Sequence, residues 1–467
     1  RLLLSYYINF DLDKMLFVEA RMAKLRKVAV VGSGIAGLSA AWHLGRQSHS
    51  AAVTLFEAQD YYGGHTHTVD VTLPDANGVW VTHGVDTGFL VFNERTYPGL
   101  IDLFSTLEVK TAASDMSFSV QAAAHSLEWC GSNLNAVFAQ RRNLVRPQFW
   151  SMLYDLVRFN RQATALACSG SEAQLQQSVG AFLEHHGYGS SFRDWYLLPM
   201  ISSIWSCPAD QMMAFPIATL VRFCHNHGLL QLVNRPQWYT VQGGARHYVE
   251  KMIAGISDAR LCTPVLSVRR HGQGAGVSIS TQWGTEHFDE VVLACHSDQA
   301  LKLVAQDAHP GEIEMLSAIQ YQTNHAVLHT DTGVLPARKA AWAAWNYEHG
   351  ACADGQASGV CLHYLLNRLQ PLPFGVPVVE TLNPLREPDP ETVLARFDYA
   401  HPVFDLAARR AQLQLPDLQG LNHTWYCGAW TGYGFHEDGY QSGLKVVGEL
   451  AARWHESSGS RVAALAA

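Results

Sequence analysis

Gly32-Ser33-Gly34-Ile35-Ala36-Gly37 is where the residue types of this 467-residue chain most directly imply chemistry. The three glycines have the spacing that cradles a dinucleotide pyrophosphate. Gly32 permits a tight turn, Gly34 lets a ligand approach the backbone, and Gly37 lets a helix pack closely on a strand. Ile35 and Ala36 open that helix, whose free N–H groups and positive dipole end face the phosphates. Such a motif is weak by itself, and its flanks supply the context. Lys27–Val31 reads as a short buried strand, Leu38–Gly45 as a helix, and a second strand, Ala52–Phe56, ends at Glu57, 20 residues beyond Gly37. A carboxylate there can accept both hydroxyls of an adenosine ribose, which favours FAD or NAD over NADP.

The segment after Glu57 separates FAD from NAD. Glu57-Ala58-Gln-Asp-Tyr-Tyr-Gly63-Gly64-His65-Thr66 resembles the E-A-x-x-x-x-G-G-R-x signature of the flavin amine oxidase and phytoene desaturase superfamily. The resemblance implies an FAD cofactor, with the glycine pair close to its diphosphate. It continues through Val85–Asn93, where the backbone of Thr87, Gly88, Phe89 and Leu90 would face the isoalloxazine and Asn93 is a candidate polar contact. Trp238–Arg246 is similar to the family's returning V-x-G-G turn, followed by a helix expected from about Tyr248 to Ile256. Val265 matches the residue whose backbone meets the adenine edge, and Ala294 closes a further buried strand. The last match runs from Trp425 to Gly443, a strand, a glycine loop and a helix start. It carries Gly428, Trp430, Asp438, Gly439, Tyr440 and Ser442.

Within the superfamily the chain resembles a bacterial group of NAD/FAD-binding amine-oxidase-like proteins, through Gly84–Pro98, Ala341–Tyr347 and His401-Pro-Val-Phe404. That group is associated with cyclopropane-fatty-acid synthase-like proteins, and a fatty-acid double-bond isomerase is a more distant relative. The resemblance therefore implies hydride transfer between flavin N5 and a hydrophobic, fatty-acyl or modified fatty-acyl substrate. The alternatives are a double-bond isomerase and a non-catalytic FAD-binding partner of a lipid-modifying methyltransferase.

Departures from the family pattern shift the expected chemistry. Gln59 and His65 stand where the family carries arginines, and Trp430 where amine oxidases carry an acid, for which Asp438 is a candidate substitute. Lys339 is the lysine nearest the Ala341–Trp345 segment, read as a strand, and is a candidate for the amine-oxidase lysine, with a solvated turn as the alternative. Arg95 is a candidate carboxylate anchor, with a surface pair to Glu94 as the alternative. His436 is a candidate acid or base, with a structural role as the alternative. His65/His67/His83 and His225/His227 lack a diagnostic ligand spacing, and no metal is expected.

The elements that must position these residues define an α/β fold, a Rossmann-like FAD-binding domain of the glutathione-reductase type with an inserted α+β substrate domain. The expected FAD domain comprises residues 24–100, 235–300 and 415–456, and the substrate domain residues 101–234 and 301–414. Residues 1–23 read as an extension outside the fold, with an N-terminal helix as the alternative, and 457–467 as a loose tail. Phe149–Phe159 has helical periodicity. Trp195–Trp205 and Met212–Pro216 are rich enough in large apolar residues to pack a core or line an acyl tunnel. Asn324–His329, Ala341–Trp345 and Val360–Tyr364 are expected strands of an antiparallel sheet.

Composition narrows the partners. The chain has 48% hydrophobic residues, 33 Lys+Arg against 41 Asp+Glu, and no basic run suited to a phosphate backbone, which argues against nucleic acid. Its nine cysteines form no CxxC pair and fit a reducing cytoplasm. Glycines punctuate the uncharged Val28–Gly45 window, so it reads as strand, turn and helix rather than a membrane span. The expected partners are a hydrophobic or lipid substrate and a lipid-modifying enzyme. The expected location is cytoplasmic, peripheral to the inner membrane.

Overall fold

The computed structural model describes residues 25–46, 51–171, 175–205, 209–231, 234–272, 274–350 and 360–465, with side chains described as far as Glu456. The extension read at 1–23 lies outside them. The first described elements are a strand (β1, Arg26–Val31), a helix (α1, Ile35–Arg46) and a second strand (β2, Ala51–Phe56). β1 and β2 pair in parallel, and each ends in four consecutive buried residues, as expected of strands covered on both faces.

Three further parallel strands complete a five-stranded sheet in the order Asp258–Arg260, β2, β1, Glu290–Leu293, Thr424–Tyr426. The order runs outward from β1 in both directions, so the chain reverses its winding at the carboxyl end of β1. An open α/β sheet binds its ligand at such a switch point. One face of the sheet is covered by α1 and the C-terminal helix His436–Leu465; a Cβ on Gly443 would come within 2.4 Å of the Ala36 carbonyl oxygen. On the other face lies a three-stranded antiparallel sheet formed by Val265–Arg270, Val277–Thr281 and Gly284–Phe288.

The second large sheet has seven strands, in the order Val393–Val403, Gln320–His329, Val379–Leu382, Cys361–Leu365, Trp345–His349, Phe118–Ala122, Leu127–Cys130. It is antiparallel except where Trp345–His349 runs parallel to Phe118–Ala122. Helices cover one face. Phe149, Met152, Leu156 and Phe159 of the Pro147–Ser169 helix share a buried core with Val120, Trp129, Leu362 and Leu382 of the sheet. Trp195, Leu197, Ile201 and Met212 are buried in that core, so most of this apolar region packs the interior. The Pro98–Thr106 helix crosses residue 100 and buries Leu100, Leu103 and Phe104 beside β1, β2 and α1.

Three local expectations are corrected. Ala341–Trp345 is not a strand: Lys339–Ala341 is a 3₁₀ turn and the strand begins at Trp345, because the Asn346 amide bonds back to both Ala343 backbone groups and holds the bend. The helix read at Tyr248–Ile256 spans Arg246–Ile253. The tail read as loose after Glu456 continues the last helix to Leu465, although its Ser-Ser-Gly-Ser run is a weak helix former.

Candidate functional site

At the carboxyl end of β1 the glycine turn takes the form its spacing implies. Gly32 has φ +101°, and a Cβ on Gly37 would lie 1.9 Å from the Gly32 carbonyl oxygen, so helix and turn approach as only glycine allows. A Cβ on Gly34 would meet nothing within 4 Å, which leaves its backbone face open to a ligand. Glu57 lies at the end of β2 and is buried. Its Oε2 accepts from the Ser33 backbone N–H at 2.9 Å and the Ser33 hydroxyl at 2.6 Å, and its Oε1 accepts from the Gln59 N–H at 2.9 Å. Ser33, the residue between the first two glycines, therefore aims the carboxylate, a role that the motif alone does not reveal.

Gly63 and Gly64 fold over this turn. The Gly63 N–H donates to the Ser33 carbonyl at 3.1 Å, and a Cβ on Gly64 would stand 3.1 Å from the Gly34 Cα. Cys262 and Thr263 donate their N–H groups to the carbonyls of Gln59 and Glu57, which sets the stretch leading into the Val265–Arg270 strand beside the end of β2. Ala294 donates its N–H to the Val31 carbonyl and flanks Gly32 from the other side. His65 is half-buried, and its Nε2, itself shielded from solvent, has no hydrogen-bond partner among the described residues. An open glycine face, an aimed carboxylate and a shielded imidazole nitrogen without a partner among the described residues fit an adenine dinucleotide.

The segment expected to run beside the flavin is pinned from behind. Phe89 and Thr87 donate their N–H groups to the carbonyls of His65 and His67, while the Thr87 hydroxyl bonds the Tyr399 hydroxyl at 2.7 Å. Asn93 is fully buried and uses its carbonyl oxygen to accept from Arg95, Thr96 and the Thr96 hydroxyl, so it shapes its own turn. In the C-terminal loop, Ser442 accepts from the Gly428 N–H and the Tyr440 carbonyl accepts from Ser39 on α1. The backbone around Gly439 passes against Ile35. Trp430 is buried and donates its indole N–H to the Cys295 carbonyl, tying the loop to the sheet. Asp438 accepts from the Phe435 N–H within its own loop, and burial raises its carboxyl to about 6. It caps the last helix.

His436 occupies the structural alternative. Its ring stacks on Phe89 with centroids 3.8 Å apart, and its Nε2 lies 2.6 Å from the Tyr248 hydroxyl and 3.2 Å from that of Thr66. Burial lowers its pKa to about 3, which keeps it neutral. His65 is likewise held well below its ordinary value, first by burial and then by His401, His296 and His436. At the second of the two positions where the family carries arginines, this chain presents a neutral ring, and at the first the amide of Gln59.

A cavity of about 150 Å³ adjoins the Thr87–Leu90 segment. Thr87, Gly88 and Leu90 form one side; Ile204, Trp205, Leu382, Phe404 and Phe435 supply apolar walls, and Tyr364, Tyr399 and His401 the polar groups. Burial lowers His401 to about 4, with His296 adding to the effect. Glu380 is the direct cross-strand partner of Tyr364 and lies two residues before Leu382 on the same strand, so its side chain leaves the sheet on the cavity side. It is buried, and neither carboxyl oxygen has a hydrogen-bond partner among the described residues. Burial, reinforced by Asp86, raises its pKa well above the usual range and holds it neutral. Sequence reading missed Glu380, because a lone acid in an apolar run carries no spacing signal. His401 and Phe404 were legible only as part of a family phrase.

A second cavity, of about 410 Å³, shares Tyr433 and Phe435 with the first and contains Arg95, Glu437 and Asp438. Arg95 is exposed there and forms no ion pair with Glu94. Glu437 accepts from the N–H groups of Gly99 and Leu100 at the start of their helix. Lys339 is remote from both cavities, exposed in its turn with Nζ 5.6 Å from the Trp342 ring centroid. No lysine among the described residues lines either cavity.

A glycine cradle at the switch point, with a cavity beside the Thr87–Leu90 segment, is the arrangement of an FAD-dependent oxidoreductase. The chain belongs to the family of flavin-containing amine oxidoreductases, whose profile matches residues 35–359. Among solved structures it is similar to a conjugated-linoleic-acid-producing fatty acid isomerase from P. acnes, at 15% identity and TM-score 0.62 over 91% of this chain and 98% of that one. It is also similar to cyclohexylamine oxidase from Brevibacterium oxydans, at 14% identity and TM-score 0.63 over 92% and 99%. Putrescine oxidase bound to putrescine gives 14% identity and TM-score 0.62 over the same shares. No curated protein matches significantly.

Proposed function

We propose that this flavoenzyme oxidises an apolar, fatty-acyl or modified fatty-acyl substrate held in the cavity beside Thr87–Leu90. The observation that carries the reading is the cavity lining, which is aromatic and aliphatic and, among the described residues, contains no carboxylate that could receive an ammonium group. When bound, FAD supplies N5 as the hydride acceptor. The chain's own groups exclude water through Trp205, Phe404 and Phe435, orient the substrate between two phenols, and hold a proton at Glu380 behind Tyr364. Arg95, in the adjoining cavity, is the group placed to meet a carboxylate at the far end of an acyl chain.

The test is an anaerobic absorbance spectrum of the purified yellow protein before and after addition of unsaturated, methylated or cyclopropane acyl lipids. Bleaching by one of these, at a rate matching turnover, is the expected result, and bleaching by primary amines alone would replace the reading with amine oxidation. Flavin that no lipid bleaches, with double-bond isomers among the products, would assign the isomerase. Indifference to every lipid would favour the scaffold.

Peripheral membrane contact forms part of the same proposal. No described helix is long and apolar enough to cross a membrane. Trp150, Tyr154 and Val157 are nonetheless exposed at helical spacing on one face of Pro147–Ser169, and Leu144 and Val145 are exposed just before it. Arg141, Arg142, Arg146, Arg158 and Arg161 accompany them, against Asp155 as the only acid between residues 131 and 169. An apolar strip edged with arginines, in a chain of net charge −8, suits an anionic bilayer surface. Sedimentation with phosphatidylglycerol vesicles should exceed that with phosphatidylcholine vesicles, and Trp150→Ser/Tyr154→Ser should reduce it about tenfold. Equal sedimentation by the variant would remove this face from the proposal.

A further inference from the structure

The side of the seven-stranded sheet turned away from the substrate cavity carries a second constellation. Glu348 is the direct cross-strand partner of Cys361, and His363 lies two residues further along, so the three side chains leave one face. Tyr364, next in the chain, points the other way and lines the cavity. Glu348 Oε2 stands 3.1 Å from His363 Nε2 and 3.8 Å from Cys361 Sγ, and that sulfur is 3.7 Å from Nε2. Tetrahedral zinc bonds of about 2.0–2.3 Å put such ligand atoms roughly 3.3–3.6 Å apart. The three atoms already approximate one face of that tetrahedron.

We propose that Glu348, Cys361 and His363 bind a divalent cation of the zinc class, with water at the fourth position. A thiolate beside an imidazole selects such a borderline-soft ion over magnesium or calcium. The surroundings have the form that metal-bound histidines require. His363 Nδ1 lies 2.8 Å from the Thr381 hydroxyl, which is also 2.8 Å from His329 Nε2, and the Asp331 N–H donates to His329 Nδ1. The ring of His363 is thus fixed from behind, as outer partners fix metal ligands. Cys361 and His363 are buried while Glu348 is 30% exposed, so the ion enters past the carboxylate.

The proton balance is explicit. Without metal, His363 Nε2–H donates to Glu348 and Cys361 keeps its thiol proton. On binding, the thiol releases one proton to solvent. The neutral imidazole keeps one proton, moved to Nδ1, where it donates to the Thr381 oxygen, and Nε2 turns its lone pair to the metal. No electron is transferred.

The spacing of the chain's histidine pairs gives no hint of this site, because the ligands come from two strands joined by an intervening segment. The test uses the full-length flavoprotein, stripped with a chelator and titrated with Zn²⁺ against a chromophoric chelator, then with Co²⁺ for its thiolate charge-transfer absorption. One equivalent should bind tightly with release of about one proton. Cys361→Ser should weaken binding at least a hundredfold and abolish the cobalt–thiolate band. Glu348→Gln, a half-exposed isosteric change that preserves the fold, should weaken binding about tenfold and keep the band. Retained FAD absorbance confirms folding of each variant. Binding that both variants leave unchanged, or no tight equivalent in the unsubstituted protein, would overturn the proposal.

Discussion

Gly34→Val yields a folded but colourless protein. In the structure, a Cβ at this position meets nothing within 4 Å, so the substitution disturbs neither β1 nor α1 and strikes only a ligand lying against the turn. Gly37→Val provides the contrast. Its Cβ would sit 1.9 Å from the Gly32 carbonyl oxygen, a backbone atom that cannot yield without separating the helix from the turn. The expected pair of outcomes is a Gly34→Val protein with unchanged far-ultraviolet circular dichroism and FAD affinity reduced at least a hundredfold, and a Gly37→Val protein that is largely insoluble. Thermal melting with and without added FAD checks both, since a ligand that binds only the folded form raises Tm. If Gly34→Val remains yellow after gel filtration, the open glycine face is not where the pyrophosphate lies.

The contrast between these glycines marks what was legible in the sequence. Gly32, Gly34, Gly37 and Glu57 were readable because phosphate binding at a helix start imposes residue types at fixed intervals, and the short apolar runs leading into Gly32 and Glu57 suit buried strands. The sheet itself was harder to read. Its five strands come from segments as distant as Arg26 and Tyr426, and their order follows from parallel pairing rather than any local signal. Ala341–Trp345 was misread because its apolar composition suits a strand, whereas the Asn346 amide holds those residues in a bend. The substrate side was least legible. Glu380, Tyr364 and Leu382 become neighbours through the register of two antiparallel strands, and a shift of one residue would turn each to the opposite face. The same register sets Glu348 against Cys361 on the reverse side. Both groupings depend on a pairing that periodicity cannot specify.

Glu380→Met makes the protein more stable and less active. The carboxyl is fully buried against the cavity side of the sheet with no hydrogen-bond partner among the described residues, and replacing a partnerless polar group by an apolar one of similar size gains about 1–3 kcal/mol. The pH dependence gives the sign. Burial and Asp86 raise the folded pKa of Glu380, whereas the unfolded chain ionises it in the usual range. Between those two values the folded state holds the extra proton, so its stability falls as pH rises above the ordinary glutamate range. The advantage of Glu380→Met should therefore grow with pH from about 4.5 upward and shrink toward the neutral acid's own burial cost below that value. Urea melts at pH 4 and pH 7 would measure it. For turnover, removing a proton-holding group behind Tyr364 should lower kcat about a hundredfold, at the lower end of what a positioned acid or base contributes. Glu380→Gln keeps the shape and cannot exchange the proton, so it should show the same loss of kcat and remove the acid's inflection from the pH–rate profile. Full activity in Glu380→Gln would reduce Glu380 to a packing residue. A loss confined to the methionine variant would place its effect in the shape of the cavity wall rather than in proton transfer.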